Sequence, residues 1–130
     1  MFIVASMALT ACASWRWWPP FPFAPRARDL AGTWANKFKL VWIIHENGTF
    51  EVDADHDGKT DVSGIYHLRG HEITLRETSG KVPADCEGAG VYRFRLHDGK
   101  LSFQPVRDAC VERTLILSAA WHRKWRRVRS

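Results

Sequence analysis

The stretch Asp53-Ala-Asp55-His-Asp57-Gly58-Lys-Thr-Asp61 puts carboxylates at its first, third, fifth and ninth positions and a glycine at its sixth. Calcium loops use this spacing: alternate oxygen ligands face the ion and the glycine allows a sharp turn around it. The twelfth position, where a bidentate glutamate closes such a loop, is Gly64, and the eighth is Thr60 rather than an aliphatic residue. A solvated hairpin tip accounts for the same aspartates, because a strand with Phe50, Val52 and Ala54 inward leaves Glu51, Asp53 and Asp55 outward. Two readings therefore stand: weak calcium binding by Asp53, Asp55, Asp57 and Asp61, or a polar turn. The chain's six histidines form no ligand set. His67 and His71 flank Arg69-Gly70, with His67 expected to face Glu72 across a hairpin as a surface pair. No G-x-S-x-G, no phosphate-cradling glycine loop and no catalytic carboxylate pair occurs, so a non-enzymatic protein is expected, with calcium the one cofactor to consider.

The chain opens with an apolar run, Met1 to Leu9, followed by Thr10-Ala11-Cys12. Leu9 to Cys12 resembles the lipobox of bacterial lipoproteins, which implies a signal segment over residues 1–11 and acylation of Cys12. No Lys/Arg precedes the run, and it is shorter than a usual signal, so the true start is expected upstream of Met1. The run also falls well below the ~20 residues of a membrane-spanning helix. With Cys12 lipidated, Cys86 and Cys110 are left to pair in the oxidising compartment that export implies, or to remain as buried thiols. A bridge would stabilise the fold by about 3.5 kcal/mol through chain entropy. Residues 12–28 hold four of the six prolines, with Trp15, Trp17 and Trp18 beside the anchor. They are expected to form an extended tether whose indoles favour the headgroup zone. The formal charge of +5 is concentrated near the end, where Arg123, Lys124, Arg126, Arg127 and Arg129 interleave with Trp121 and Trp125. For an exported, tethered chain the expected polyanion is an anionic lipid surface rather than nucleic acid, and the plainer reading is a last strand with a charged outer face.

These residues must be positioned by a single small domain, residues 29–130, since 130 residues suffice for one modest core. Composition excludes disorder: 45% of residues are hydrophobic, and seven Trp and seven Phe suit the filling of a small barrel. From Asp29 onward the apolar residues recur with period two. The series runs through Phe38, Leu40, Trp42 and Ile44, then Phe50 and Val52, then Val62, Tyr66 and Leu68, then Ile73 and Leu75. It continues in Tyr92, Phe94 and Leu96, in Leu101 and Phe103, and in Val111, Leu115 and Leu117 with Arg113 on the same side. Half-buried antiparallel strands give this pattern, and no stretch shows helical periodicity. Turns are signalled at Glu46-Asn47-Gly48, Asp57-Gly58, Arg69-Gly70 and Asp98-Gly99, with an irregular loop from Thr78 to Gly90. The expected fold is all-β: an antiparallel up-and-down barrel of about eight short strands.

Gly32-x-Trp34, placed at the start of the meander, resembles the signature opening the first strand of lipocalin-like (calycin-type) barrels. The resemblance extends over residues 29–125, to small bacterial lipocalin-like lipoproteins of the cell envelope. It implies that Trp34 packs at the closed end of the barrel with an arginine from near the last strand, Arg113 or Arg123, across its ring. It also implies a small apolar ligand in the barrel, and Trp42, Phe50, Tyr66, Tyr92, Phe94 and Phe103 are the candidate lining. The alternative is a barrel filled by those aromatics that acts through its surface on a protein or anionic-lipid partner.

Overall fold

The computed structural model describes residues 24–118 and 124–128. Within them lie eight strands: β1 (Gly32–Ala35), β2 (Val41–Ile44), β3 (Thr49–Asp53), β4 (Val62–Arg69), β5 (Glu72–Gly80), β6 (Gly90–His97), β7 (Lys100–Arg107) and β8 (Trp125–Arg127). Each pairs antiparallel with the next, and β8 returns to β1 through Trp34↔Arg127 and Ala35↔Arg126. The sheet thus closes into the expected up-and-down barrel, and closure leaves no bare edge. Among the described residues two short helices accompany it, α1 (Ala27–Leu30) and α2 (Val111–Ser118), with a 3-10 turn at Ala84–Cys86.

Period two is realised most cleanly in β5 to β7, where Ile73, Leu75, Tyr92, Phe94, Leu101 and Phe103 are buried. Three tight turns join strands at one end, and Gly48, Gly70 and Gly99 occupy them at φ of 94°, 61° and 72°. Such φ values suit glycine because it has no Cβ. The same end holds the start of β1, the finish of β8, and α1. The opposite end carries the longer connections: β3–β4, β5–β6, and the β7–β8 link containing α2.

The turn-bearing end is capped. Trp34 is fully buried there, and its Nε1–H donates to the Leu30 carbonyl at 2.8 Å. The guanidinium of Arg127 lies 4.4 Å from the centroid of the Trp34 ring. Its terminal nitrogens donate to the carbonyls of Ala31 (2.6 Å) and Asp29 (2.8 Å). A cation over an indole face that also satisfies backbone carbonyls holds α1 against the barrel. Gly32 makes this possible, since a Cβ on it would stand 2.5 Å from Arg127 Nη1. The arginine across Trp34 is therefore Arg127. Arg113 sits on α2 at the other end, and Arg123 lies outside the described residues.

Three expectations are corrected. The run from Phe38 to Ile44 is not one strand, because a hairpin at 36–40 precedes β2. The Asn36 side-chain oxygen accepts the N–H groups of Phe38 (2.9 Å) and Leu40 (3.1 Å), which places Phe38, 50% exposed, at the tip. The segment Val111–Ser118 is helix, not strand. Its true spacing is i to i+4: Arg113 and Leu117 share the buried face, while Val111 and Leu115 share the exposed one. Lastly, His67 pairs with Thr74, and Glu72 faces Arg69.

Candidate functional site

A cavity of about 320 Å³ occupies the end opposite the cap. Its inner wall is aromatic, from Trp42 on β2, Phe50 on β3 and Trp125 on β8. Ile116 and Leu117 of α2 face it from above, with Val82 and Pro83 of the β5–β6 connection. Trp42 sits at the centre of the aromatic group, its ring 5.5 Å from Trp125, 5.9 Å from Phe50 and 5.3 Å from Phe103. The indole N–H groups of Trp42 and Trp125 are buried and find no acceptor among the described residues. An orphaned buried donor costs about 1–3 kcal/mol, which ordinary core packing avoids. A larger hollow of about 560 Å³ at the capped end is a groove between residues 24–27 and the β2–β3 and β4–β5 turns, without an aromatic wall beyond Tyr66.

The segments over the mouth are fastened in two ways. Cys86 and Cys110 form the expected disulfide, tying the 3-10 turn to the head of α2. Disulfides of this kind persist in oxidising compartments. Cys110 also caps the helix, for its sulfur accepts the Arg113 N–H at 3.2 Å and its own N–H is held by Asp108 at 2.9 Å. The second fastening is ionic. Arg113 grips both oxygens of Asp108, at 2.7 and 2.6 Å, donates to the Gly88 carbonyl at 3.0 Å, and forms an ion pair with Glu77. The Tyr92 hydroxyl donates to the same Asp108 carboxylate. Gly90 clears the space for it, since a Cβ there would meet Asp108 Oδ2 at 2.3 Å.

The electrostatics of the cluster follow from these contacts. Burial pushes the Asp108 carboxyl up, but donors from Arg113, Tyr92 and the Cys110 N–H outweigh it and hold it below its ordinary value. Burial and the bond to Asp108 raise the Tyr92 hydroxyl far above the usual phenol range. One guanidinium thus serves two largely buried carboxylates, with side chains 6% (Arg113), 1% (Asp108) and 13% (Glu77) exposed.

The aspartate loop joins β3 to β4 at the rim of the same cavity. Ligand oxygens of Asp53, Asp55, Asp57 and Asp61 all lie within 4.8 Å of one another. They also organise the loop itself. Asp53 is buried and accepts the N–H groups of Gly58 (2.8 Å) and Asp57 (3.2 Å), and Asp61 accepts that of Ala54 (2.8 Å). Desolvation opposes ionisation of Asp53, yet those N–H groups keep its carboxyl below the ordinary value. Asp55 is raised, by desolvation and then by its carboxylate neighbours Asp53, Asp57 and Asp61. The turn is thus built by its own aspartates, and Asp53, expected to point outward, is instead buried within it while the four carboxylates converge.

Of the six aromatic residues expected to line a ligand site, Trp42 and Phe50 are in the cavity wall. Tyr66, Tyr92, Phe94 and Phe103 are buried in the barrel core outside that wall. The Tyr66 hydroxyl is turned to the His45 carbonyl. Sequence reasoning missed Trp125, Ile116 and Leu117 in the wall, and missed Asp108 and Glu77 as partners of Arg113. An available signal was Asp108-x-Cys110 followed by Glu112, the head of a capped helix with acid in its first turn. Cys12 lies outside the described residues, and among those described no helix is long and apolar enough to cross a membrane.

Eight antiparallel strands in simple order, capped by a helical turn at one end and hollow at the other, are consistent with a calycin-like fold. No match to the chain is found among protein families, curated proteins or solved structures.

Proposed function

We propose that this protein is a non-enzymatic, lipocalin-like binding protein of the cell envelope that takes a small, largely apolar ligand into the open end of its barrel. The mouth cavity carries the reading: about 320 Å³ walled by Trp42, Phe50, Trp125 and Leu117. That volume is within the range of small-molecule sites, about 300–1,000 Å³, and well above the void a single water needs. It favours ligand binding over the alternative of a filled barrel acting through its surface. Lipidation of Cys12 would tether the protein to a membrane, and the Cys86–Cys110 bridge supports an oxidising, extracytoplasmic location. Exposed Lys124 and Arg126 would lie available to anionic headgroups. Native mass spectrometry of the purified chain, with a fluorescent-probe screen, tests the binding reading. A co-purified small ligand or a saturable probe is expected, and a barrel that takes up nothing overturns it. Metabolic labelling with palmitate tests the anchor, which fails if Cys12 stays unlabelled.

A second reading is weak calcium binding by the β3–β4 loop, favoured by the convergence of four aspartate carboxylates. Calorimetric titration should give a millimolar-range heat and a raised Tm, both lost in Asp57→Asn. Neither heat nor a Tm change with calcium ends it.

A further inference from the structure

We propose that the mouth cavity selects an organic cation: an amine or quaternary ammonium with a compact apolar body. The inference deepens the binding reading above and rests on it. Two independent features of the wall carry it, one of charge and one of aromatic character.

Among the described residues the basic side chains of the wall are Arg113 and Lys81, against the carboxylates of Asp55, Asp61, Glu77 and Glu112. Four acids less two bases leave two negative charges in surplus. Arg113 is already largely committed, with four of its five N–H groups engaged by Asp108, Glu77 and the Gly88 carbonyl. Glu77 shares that guanidinium with Asp108, so the buried cluster alone bears one uncompensated negative charge at the cavity wall. The chain as a whole carries +5, so this acidity is local to the mouth. A carboxylate ligand entering here would meet four wall carboxylates, with Lys81 as the one counter-charge among the described residues that Asp108 and Glu77 do not engage.

The aromatic feature points the same way. Trp42, Phe50 and Trp125 line the base of the cavity, and aromatic walls favour a cation that reaches a ring face, most strongly where water is excluded. The size of the cavity suits a compact amine better than a long acyl chain.

The test is a titration of the full chain in calcium-free buffer with three probes that share one phenyl ring. These are phenethylamine, 2-phenylethanol and 3-phenylpropionate, followed by tryptophan fluorescence and calorimetry. Phenethylamine is expected to bind about tenfold more tightly than the alcohol, with the acid weakest. In the double variant Asp55→Asn, Glu112→Gln, whose carboxylates are exposed and lie outside the buried cluster, the preference for amine over alcohol should fall about threefold or more. The alcohol is the internal reference in that variant, so a general change of the wall cancels from the ratio. Equal binding of amine and alcohol, tighter binding of the acid, or an amine preference undiminished in the double variant overturns the proposal and leaves the binding reading standing. Failure of all three probes to bind overturns the proposal as well, and the binding reading falls with it only when mass spectrometry and the fluorescent-probe screen also find nothing taken up.

Discussion

At the scale of single residues, side chains at both ends of the barrel are placed by what they pair with. Arg127 spans the Trp34 ring and two carbonyls of the chain entering the barrel. Arg127→Ala should cost about 2 kcal/mol in denaturant unfolding, whereas Arg126→Ala on the exposed face should stay within about 0.5 kcal/mol. Trp34 was legible from Gly32-x-Trp34, but its partner was not. Arginines at 113, 123, 126 and 127 all follow the meander, and only the β1–β8 register selects among them. Asp108 contributes to the pH dependence. Its carboxyl is held below the ordinary value of 3.8, so its contribution is complete above that pH and is lost as pH falls through the lower folded value. Thermal melts should therefore be level from pH 7 to about 5 and fall steeply below about pH 4 on account of this group. Asp108→Ala should cost about 3 kcal/mol at neutral pH, because it strips a buried guanidinium of its bidentate partner.

Among the elements, α2 is where the sequence misled. Val111, Arg113, Leu115 and Leu117 fit period two as well as any strand, and a segment of eight residues is too short for periodicity to arbitrate. What decides is tertiary: Cys110 is fixed by the disulfide and by Asp108, caps the first turn, and lets Arg113 and Leu117 reach inward together. The helix predicts an asymmetry that a strand would not. Leu117→Ala should destabilise by about 2–4 kcal/mol, and Leu115→Ala, at a half-exposed site, by much less. Equal losses in the two melts would contradict the helix. The disulfide acts on the same element, closing a separation of 24 residues. Its removal in Cys86→Ser, Cys110→Ser should cost about 2–4 kcal/mol and speed hydrogen exchange over residues 81–89 and α2 before the strands. The turns, by contrast, were readable one by one, because Gly48, Gly70 and Gly99 each supply a positive φ that few other residues adopt.

For the molecule as a whole, closure was legible from the meander itself: short alternating runs with tight turns leave a closed barrel as the arrangement without open edges. The hollow was not legible. The buried aromatics are the same kind of residue whether they fill a lumen or wall a cavity, and only the placement of α2 and the bridged loop above Trp42 and Trp125 separates the two. The barrel is thus asymmetric, sealed by Arg127 and α1 at one end and hollow, with an acidic wall, at the other. A nitrogen-15 NMR titration with phenethylamine tests this asymmetry most directly. The indole N–H signals of Trp42 and Trp125 and the amides of Val82 and Ile116 should move, while the Trp34 indole and the amides of Gly48 and Gly70 stay still. Shifts centred on Trp34 and the capped-end turns, or no shifts at all, would contradict a binding site at the mouth.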